Sequence, residues 1–77
     1  MKSTTISITD LNAAKQFVNI TNKYLDYKMN LISENYTIDA HSIIGLLSLD
    51  MSKTILLETD ENTPSEFYNE IMQFIKE

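Results

Sequence analysis

The sequence predicts an α+β fold, in which a four-stranded antiparallel sheet carries three helices on one face in the order β-α-β-β-α-β-α. Thr5 to Thr9 alternates between apolar and polar residues, which is the period of a strand. From Asp10 the apolar residues step by three and four, which is the period of an amphipathic helix. A helix start is also marked near Thr63. Because each helix must bury its apolar stripe, a helical layer on one face of the sheet is the expected solution.

Length and composition predict a single small domain spanning residues 1–77. The chain has no cysteine and is 43% hydrophobic, so the fold must close on apolar packing without disulfides. The opening MKSTTISIT lacks the apolar core of a secretory signal. No apolar run approaches the ~20 residues that span a bilayer. We therefore expect a protein of the cytoplasm, whose reducing environment suits a chain without cysteine.

The first strand and the first helix follow directly from these periods. In the strand, Ile6 and Ile8 share one side and the intervening residues are polar. Asp10 is a suitable helix N-cap, because its carboxylate can accept from the amides of the first turn. The helix is predicted to bury a stripe made of Leu11, Ala14, Val18, Thr21 and Leu25, widened by Phe17 and Tyr24.

A hairpin is predicted in the middle of the chain. Alternation from Leu25 to Ile32 indicates a second strand, and Tyr36 to Ile38 indicates a short third strand. Glu34 and Asn35 lie between them, and asparagine tolerates the positive φ that a tight hairpin turn requires.

The remaining elements are two helices with a strand between them. His41 to Met51 is a short apolar segment that contains the only glycine, Gly45. Thr54 to Thr59 reads as a buried strand. The last helix begins with Thr63-Pro64-Ser65-Glu66, which predicts a Thr63 cap, a first-turn proline and a capping-box glutamate. Its apolar face is predicted to comprise Phe67, Ile71, Phe74 and Ile75.

Charge and residue types exclude several classes of function. The net charge is -5, with 11 acidic and 6 basic residues, so no cationic stripe is available to bind nucleic acid. His41 is the only histidine and there is no cysteine, so a metal site would rest on carboxylates alone. We expect no metal, no cofactor and no membrane binding.

The order of elements and the central segment together resemble the histidine-containing phosphocarrier protein family, HPr, of the bacterial sugar phosphotransferase system. Ser42-Ile43-Ile44-Gly45-Leu46-Leu47-Ser48-Leu49 is similar to the family's S-I-x-G-hydrophobic-hydrophobic-S-L signature. Extended in both directions, with a deletion of about two residues before Ile55, the resemblance covers nearly the whole chain. It implies an open-faced β-sandwich.

The resemblance also implies that phosphoryl transfer is lost. The family carries its phosphoryl group on a histidine at the start of the first helix, within G-x-H-A-R-P-A, and the corresponding stretch here is Thr9 to Lys15. Leu11 stands at the histidine position and Ala13 at the position of the arginine that neutralises the phosphate. Leucine has no nucleophilic atom, and Asp10 would repel a phosphoryl donor.

Ser42 and His41 are the remaining candidates for chemistry. The resemblance implies that Ser42 is a regulatory phosphorylation site, since the matching serine is phosphorylated by a dedicated kinase in the low-GC Gram-positive branch; alternatively, Ser42 is simply an N-cap. His41 is expected to be an exposed polar residue, or else a surrogate phosphoacceptor. As neighbours at a helix start, the two side chains are expected to point apart, so they form no hydrolase dyad.

The apolar segment predicts a docking surface. We expect two of Ile43, Ile44, Leu46 and Leu47 to face the core with Leu49, and the others to reach solvent. Contiguous exposed apolar side chains are typical of binding sites, and the resemblance implies that partner enzymes bind here. The partner-binding candidates are therefore His41, Ile43, Ile44 and Leu47, with phosphotransferase-system enzymes or a transcriptional regulator as the expected partners.

Two hypotheses for the function follow. The first is a non-catalytic binding or regulatory module, not an enzyme. The second is a phosphocarrier or transferase component that uses His41 or Ser42.

Overall fold

The computed structural model describes residues 1–76 and contains four strands and three α-helices in the predicted order. Two 3₁₀ turns, Asn22–Tyr24 and Met72–Phe74, follow the first and last α-helices. The elements are β1 (Lys2–Ile6), α1 (Leu11–Thr21), β2 (Met29–Ser33), β3 (Tyr36–Asp39), α2 (Ile43–Leu47), β4 (Ile55–Thr59) and α3 (Ser65–Glu70).

The four strands form one antiparallel sheet in the order β1-β4-β2-β3. Leu57 of β4 lies between Thr4 of β1 and Leu31 of β2, and Leu31 in turn faces Ile38 of β3. Along β2 and β4 every second residue is buried, because side chains alternate between the two sides of a strand. The predicted sheet is confirmed.

The helices cover the buried face of the sheet, and the other face is open. Phe17 of α1 stacks edge-to-face on Phe74, and Phe67 of α3 makes the same contact with Tyr24. The core is formed by Ile6, Ile8, Ala14, Phe17, Val18, Met29, Leu31, Ala40, Leu46, Leu49, Ile55, Leu57, Phe67, Ile71 and Phe74.

The first strand lies earlier than the predicted Thr5 to Thr9. Its pairing with β4 ends at Ile6, after which the Ser7 N–H donates to the carbonyl of Phe74. Ile6 and Ile8 are both fully buried, as the alternation predicts. Alternation reports the direction of side chains, whereas strand bounds depend on the partner strand, so the face was correct and the bounds were wrong.

The first helix confirms the Asp10 cap but not both ends of the predicted stripe. The Asp10 carboxylate accepts from the Ala13 N–H at 2.8 Å. Leu11 and Leu25, predicted to be buried, are 50% and 64% exposed. Leu11 lies in the first turn, before the first buried position, Ala14. Leu25 follows a 3₁₀ turn, whose three residues per turn rotate the chain away from the stripe of the α-helix.

The predicted hairpin is present with different details. β2 begins at Met29 rather than Leu25, at the point where pairing with Thr59 of β4 starts. The turn is Glu34-Asn35, as predicted, but Glu34 adopts the positive φ of 54° rather than Asn35.

The last helix begins differently from the prediction. Its N-cap is Pro64, not Thr63, and no side chain caps it. The Thr63 N–H donates to the Asp60 carbonyl, and the buried Thr63 hydroxyl has no hydrogen-bond partner within residues 1–76. Glu66 accepts from the Ser65 hydroxyl rather than closing a capping box. The loop from Asp60 thus turns Thr63 inward, which overrides its capping preference.

Candidate functional site

The α2 helix begins with the predicted cap. Ser42 has extended backbone angles, φ -102° and ψ 115°, and its hydroxyl accepts from the Gly45 N–H at 3.0 Å. Its carbonyl accepts from the Leu46 N–H at 3.0 Å. The serine hydroxyl thereby satisfies an amide that the helix itself leaves without a partner. The structural role predicted for Ser42 is confirmed.

The single glycine allows α2 to approach the sheet closely. A Cβ atom at position 45 would lie 3.3 Å from Ile38 Cδ1 and 3.3 Å from Ser42 Oγ. The distance to Ile38 Cδ1 is shorter than the ordinary van der Waals separation between carbon atoms. Gly45 therefore lets α2 rest directly against β3, and this contact fixes which side of α2 faces outward.

The apolar side chains of α2 divide between the core and the surface. Leu46 is fully buried and Leu49, just beyond the helix, is 6% exposed, so these two face inward. Ile44 and Leu47 are 77% and 40% exposed, and Ile43 is half-buried. We call Ile43, Ile44 and Leu47 the α2 patch. No residue from Ser42 to Leu49 carries a formal charge.

The α2 patch adjoins a shallow groove against the first helix. Ile43 lines this groove together with Lys15, Val18 and Asn19 of α1. Lys15 and Asn19 are exposed, whereas Val18 is 7% exposed. The accessible surface therefore continues from the α2 patch onto two polar residues of α1, of which Lys15 is positively charged.

His41 does not occupy the exposed position predicted for it. Its side chain is only 12% exposed. The ring Nδ1 lies 2.7 Å from Asp39 Oδ1, and Nε2 lies 3.3 Å from the carbonyl oxygen of Tyr24. Both ring nitrogens face oxygen acceptors rather than solvent. A neutral ring carries one N–H and donates to only one of these oxygens at a time, whereas a ring with both nitrogens protonated donates to both. Sequence spacing gave no sign of this, because Tyr24 is 17 residues away.

Asp39 is held in its charged form by its contacts with His41. The His41 backbone N–H donates to Asp39 Oδ1 at 2.9 Å. This bond, followed by the contact with the His41 ring, lowers the pKa of the Asp39 carboxyl below its ordinary value, although partial desolvation opposes the shift. A lowered pKa in the folded state contributes stability above the ordinary pKa and loses it as the pH falls through the folded value. The Asp39 carboxylate is therefore charged at neutral pH.

The sequence-based reading also missed a polar cluster at the end of α1. Glu70 of α3 accepts from the Lys23 ammonium and, at 2.5 Å, from the Tyr24 hydroxyl. The hydrogen bond to Glu70, with partial desolvation, raises the pKa of Tyr24 to about 12. The bonds from Lys23 and Tyr24 lower the pKa of Glu70. The cluster ties the end of α1 to α3, and its members are too far apart in sequence to be predicted together.

The start of α1 holds Leu11 and Ala13. Leu11 is the first residue of the helix and half of its surface is exposed; Ala13 is partly buried. The Asp10 carboxylate accepts a hydrogen bond from the Ala13 N–H.

Within residues 1–76, no three histidine or carboxylate side chains come together to hold a metal ion. No helix in this described part of the chain is long and apolar enough to cross a membrane.

Two solved structures with the same arrangement of elements are HPr proteins. HPr-C-His from Thermoanaerobacter tengcongensis is 24% identical, with a TM-score of 0.77 over 95% of this chain and 89% of that one. The chain has the HPr fold. Phosphocarrier protein HPr from Bacillus anthracis str. Ames is 15% identical, with a TM-score of 0.71 over 97% of this chain and 96% of that one.

In this chain α1 and α2 meet at one groove, which is lined by Lys15, Val18 and Asn19 of α1 and by Ile43 of α2. No protein-family model matches the chain, and neither does any curated protein. The match to HPr therefore rests on three-dimensional structure.

Proposed function

We propose that this protein is an HPr-like binding or regulatory module that docks protein partners through the α2 patch and carries no phosphoryl group. Its expected partners are enzymes of the sugar phosphotransferase system or a transcriptional regulator, and a role of this kind belongs in the bacterial cytoplasm. The observation that carries the proposal is the α2 patch itself, in which Ile44 and Leu47 are exposed on a helix without charged residues.

The patch is suited to a protein partner because it is apolar and held in place. Fully burying an isoleucine or leucine side chain contributes roughly 1.5–3 kcal/mol. Ile44 is 77% exposed in the isolated protein. Most of the free energy gained by burying its side chain is therefore available when a partner binds. No charged side chain between Ser42 and Leu49 has to be desolvated at the same time.

The start of α1 supports the absence of phosphoryl transfer. At the position that the HPr resemblance gives to the phosphoacceptor, Leu11 offers only carbon atoms, and Ala13 offers no positive charge. The Asp10 carboxylate accepts from the Ala13 N–H at 2.8 Å. The Ala13 amide is thus already bonded to a negatively charged group.

The alternative carrier mechanism finds no support at His41. A phosphohistidine forms when a ring nitrogen attacks phosphorus, which requires an accessible lone pair. Here Nδ1 faces the Asp39 carboxylate and Nε2 faces the Tyr24 carbonyl. Phosphorylation would require the ring to leave both contacts and its largely buried position.

Ser42 suits regulation better than transfer. Its hydroxyl caps Gly45 and it lies beside Ile43 and Ile44. Phosphorylation would add about two negative charges at the edge of the α2 patch. We propose that this charge opposes an apolar or acidic partner, so that modification of Ser42 lowers binding.

The first prediction tests phosphoryl transfer directly. Incubated with phosphoenolpyruvate and the first enzyme of the phosphotransferase system, the wild-type protein should keep its intact mass. The double variant Leu11→His with Ala13→Arg restores an acceptor and a cation, so it should gain one acid-labile phosphate in part of the molecules. Intact-mass spectrometry before and after acid treatment measures both, and an active HPr serves as the positive control.

The outcomes separate the two hypotheses. An acid-labile phosphate on the wild-type protein that is absent from His41→Ala would establish His41 as an acceptor and overturn the binding-module proposal. An acid-stable phosphate absent from Ser42→Ala, seen only with a serine kinase and ATP, would instead support regulation at Ser42.

A further inference from the structure

The docking helix depends on contacts outside itself for its position. α2 has five residues, and Leu46 is the only one of them that is buried. Helices shorter than about 12 residues are marginal when isolated in water. The orientation of α2 is therefore set by the core contact of Leu46, by the close approach of Gly45 to Ile38, and by the contacts that hold the segment preceding the helix.

The preceding segment is held by the end of α1. The Thr21 hydroxyl donates to the Ala40 carbonyl at 2.9 Å, and the Asn22 side-chain amide donates to the His41 carbonyl at 3.0 Å. In the opposite direction, His41 Nε2 lies 3.3 Å from the Tyr24 carbonyl. We call these three contacts the α1 clamp. They join two segments that are 17 to 19 residues apart in sequence.

We infer that His41 is a positioning residue, whose ring lies between Asp39 and the Tyr24 carbonyl and, through an N–H on Nε2 that donates to this carbonyl, holds α2 in the orientation that presents the α2 patch. This inference rests on the proposed docking function. The bridge spans two elements, since Asp39 is the last residue of β3 and Tyr24 closes the turn after α1. Ser42, the cap of α2, is the next residue in the chain.

The base of the α1 clamp is itself anchored. The Tyr24 hydroxyl donates to Glu70 of α3, and Lys23 pairs with the same carboxylate. The Tyr24 ring packs edge-to-face on Phe67 in the core. Tyr24 therefore holds its carbonyl in a fixed position. Loss of the contact between this carbonyl and the His41 ring should loosen α2 rather than α1.

The loss of the His41 ring should increase local opening of α2. Four amides around this helix donate hydrogen bonds whose exchange with solvent reports such opening: those of Gly45, Leu46, Ser48 and Leu49. Losing one or two hydrogen bonds lowers the free energy of local opening. Amide exchange through this opening is then about tenfold faster. Amides of β2 and β4, which exchange through wider unfolding, should change less.

The test is hydrogen exchange by nuclear magnetic resonance on the protein without a partner. Wild type is compared with His41→Ala, His41→Gln and His41→Asn. Glutamine reaches about as far as Nε2 and can donate to the Tyr24 carbonyl, whereas asparagine reaches only as far as Nδ1 and can contact Asp39. If the bridge to Tyr24 positions α2, exchange should be fastest in His41→Ala and restored further by glutamine than by asparagine.

A matched control removes a side-chain hydrogen bond elsewhere. Tyr68→Phe deletes the hydroxyl that bonds to Thr59 between α3 and β4, and exchange in α2 should stay within about twofold of wild type. Unchanged α2 exchange in His41→Ala, or equal rescue by asparagine and glutamine, would overturn the inference.

A second readout separates this inference from the docking proposal. For this readout a partner is first captured by pull-down with the wild-type protein. The affinity of the captured partner for His41→Ala should fall in parallel with the faster exchange, and His41→Gln should recover both. Faster exchange with unchanged affinity would overturn the positioning role of His41. If Ile44→Glu also left affinity unchanged, the docking proposal itself would fail, while the exchange result would still show whether the α1 clamp holds α2.

Discussion

Replacing Ile44 with glutamate is expected to weaken partner binding by roughly 10- to 100-fold. Ile44 is 77% exposed, and burying such a side chain contributes about 1.5–3 kcal/mol, where each 1.4 kcal/mol is tenfold in affinity. The carboxylate removes this contribution and must also be desolvated. Isothermal titration calorimetry with the captured partner measures the change. The stability of the variant should stay close to wild type, because the position is exposed.

Two further variants make the test specific. Met72→Glu makes the same kind of change at another exposed apolar side chain, 63% exposed and outside α2, and should leave affinity unchanged. Ser42→Asp carries only part of the charge of a phosphate, so its effect should be smaller than that of phosphorylation. If Ile44→Glu and Ser42→Asp both bind like wild type, the interface lies elsewhere.

The second large effect concerns stability rather than binding. Leu46→Ala should lower the free energy of unfolding by about 2–5 kcal/mol, because it removes a buried side chain and leaves a cavity. Leu46 is fully buried in the core. Domains have only about 5–15 kcal/mol of stability in total, so the loss is a large share. Urea unfolding followed by circular dichroism measures it.

Leu47 provides the matched control on the same helix. Leu47→Ala makes the identical chemical change at a side chain that is 40% exposed, so it should cost well under half as much stability. The same variant should weaken partner binding, because Leu47 belongs to the α2 patch. Equal destabilisation by both substitutions would contradict the assignment of inward and outward faces.

Most of the fold was predictable because its signals are local. The alternation that places Ile6 and Ile8 on one side and the spacing of Ala14, Phe17 and Val18 depend only on neighbouring residues, and both predicted the buried faces. The Asp10 and Ser42 caps bond to amides three residues ahead. Such features are readable from one sequence, since the interaction and its cause lie within one turn.

The errors arose where distant parts of the chain decide the outcome. The start of β2 depends on its pairing with Thr59, and Pro64 became the cap of α3 because the turn from Asp60 buries Thr63. Leu11 is apolar but lies beyond the buried part of its helix. A periodic pattern indicates which face is apolar, but not how far along it the core extends.

The candidate site was only partly predictable for the same reason. The sequence predicted that two of the four apolar side chains from Ile43 to Leu47 face the core, without deciding which. In the structure Leu46 is buried, Ile43 is half-buried, and Ile44 and Leu47 are exposed. The burial of His41 was not predicted, because it depends on Asp39 and on Tyr24 at the end of another helix. Contacts between polar groups distant in sequence have no periodic signature.

The most direct test of the docking surface is a nuclear magnetic resonance footprint of the isotope-labelled protein with its captured partner. The account predicts that the largest chemical-shift changes and line broadening fall on the amides from Ser42 to Leu47 and on the methyl groups of Ile43, Ile44 and Leu47. Changes confined to the open face of the sheet, around Ile32 and Leu56, with the α2 signals unmoved, would contradict it.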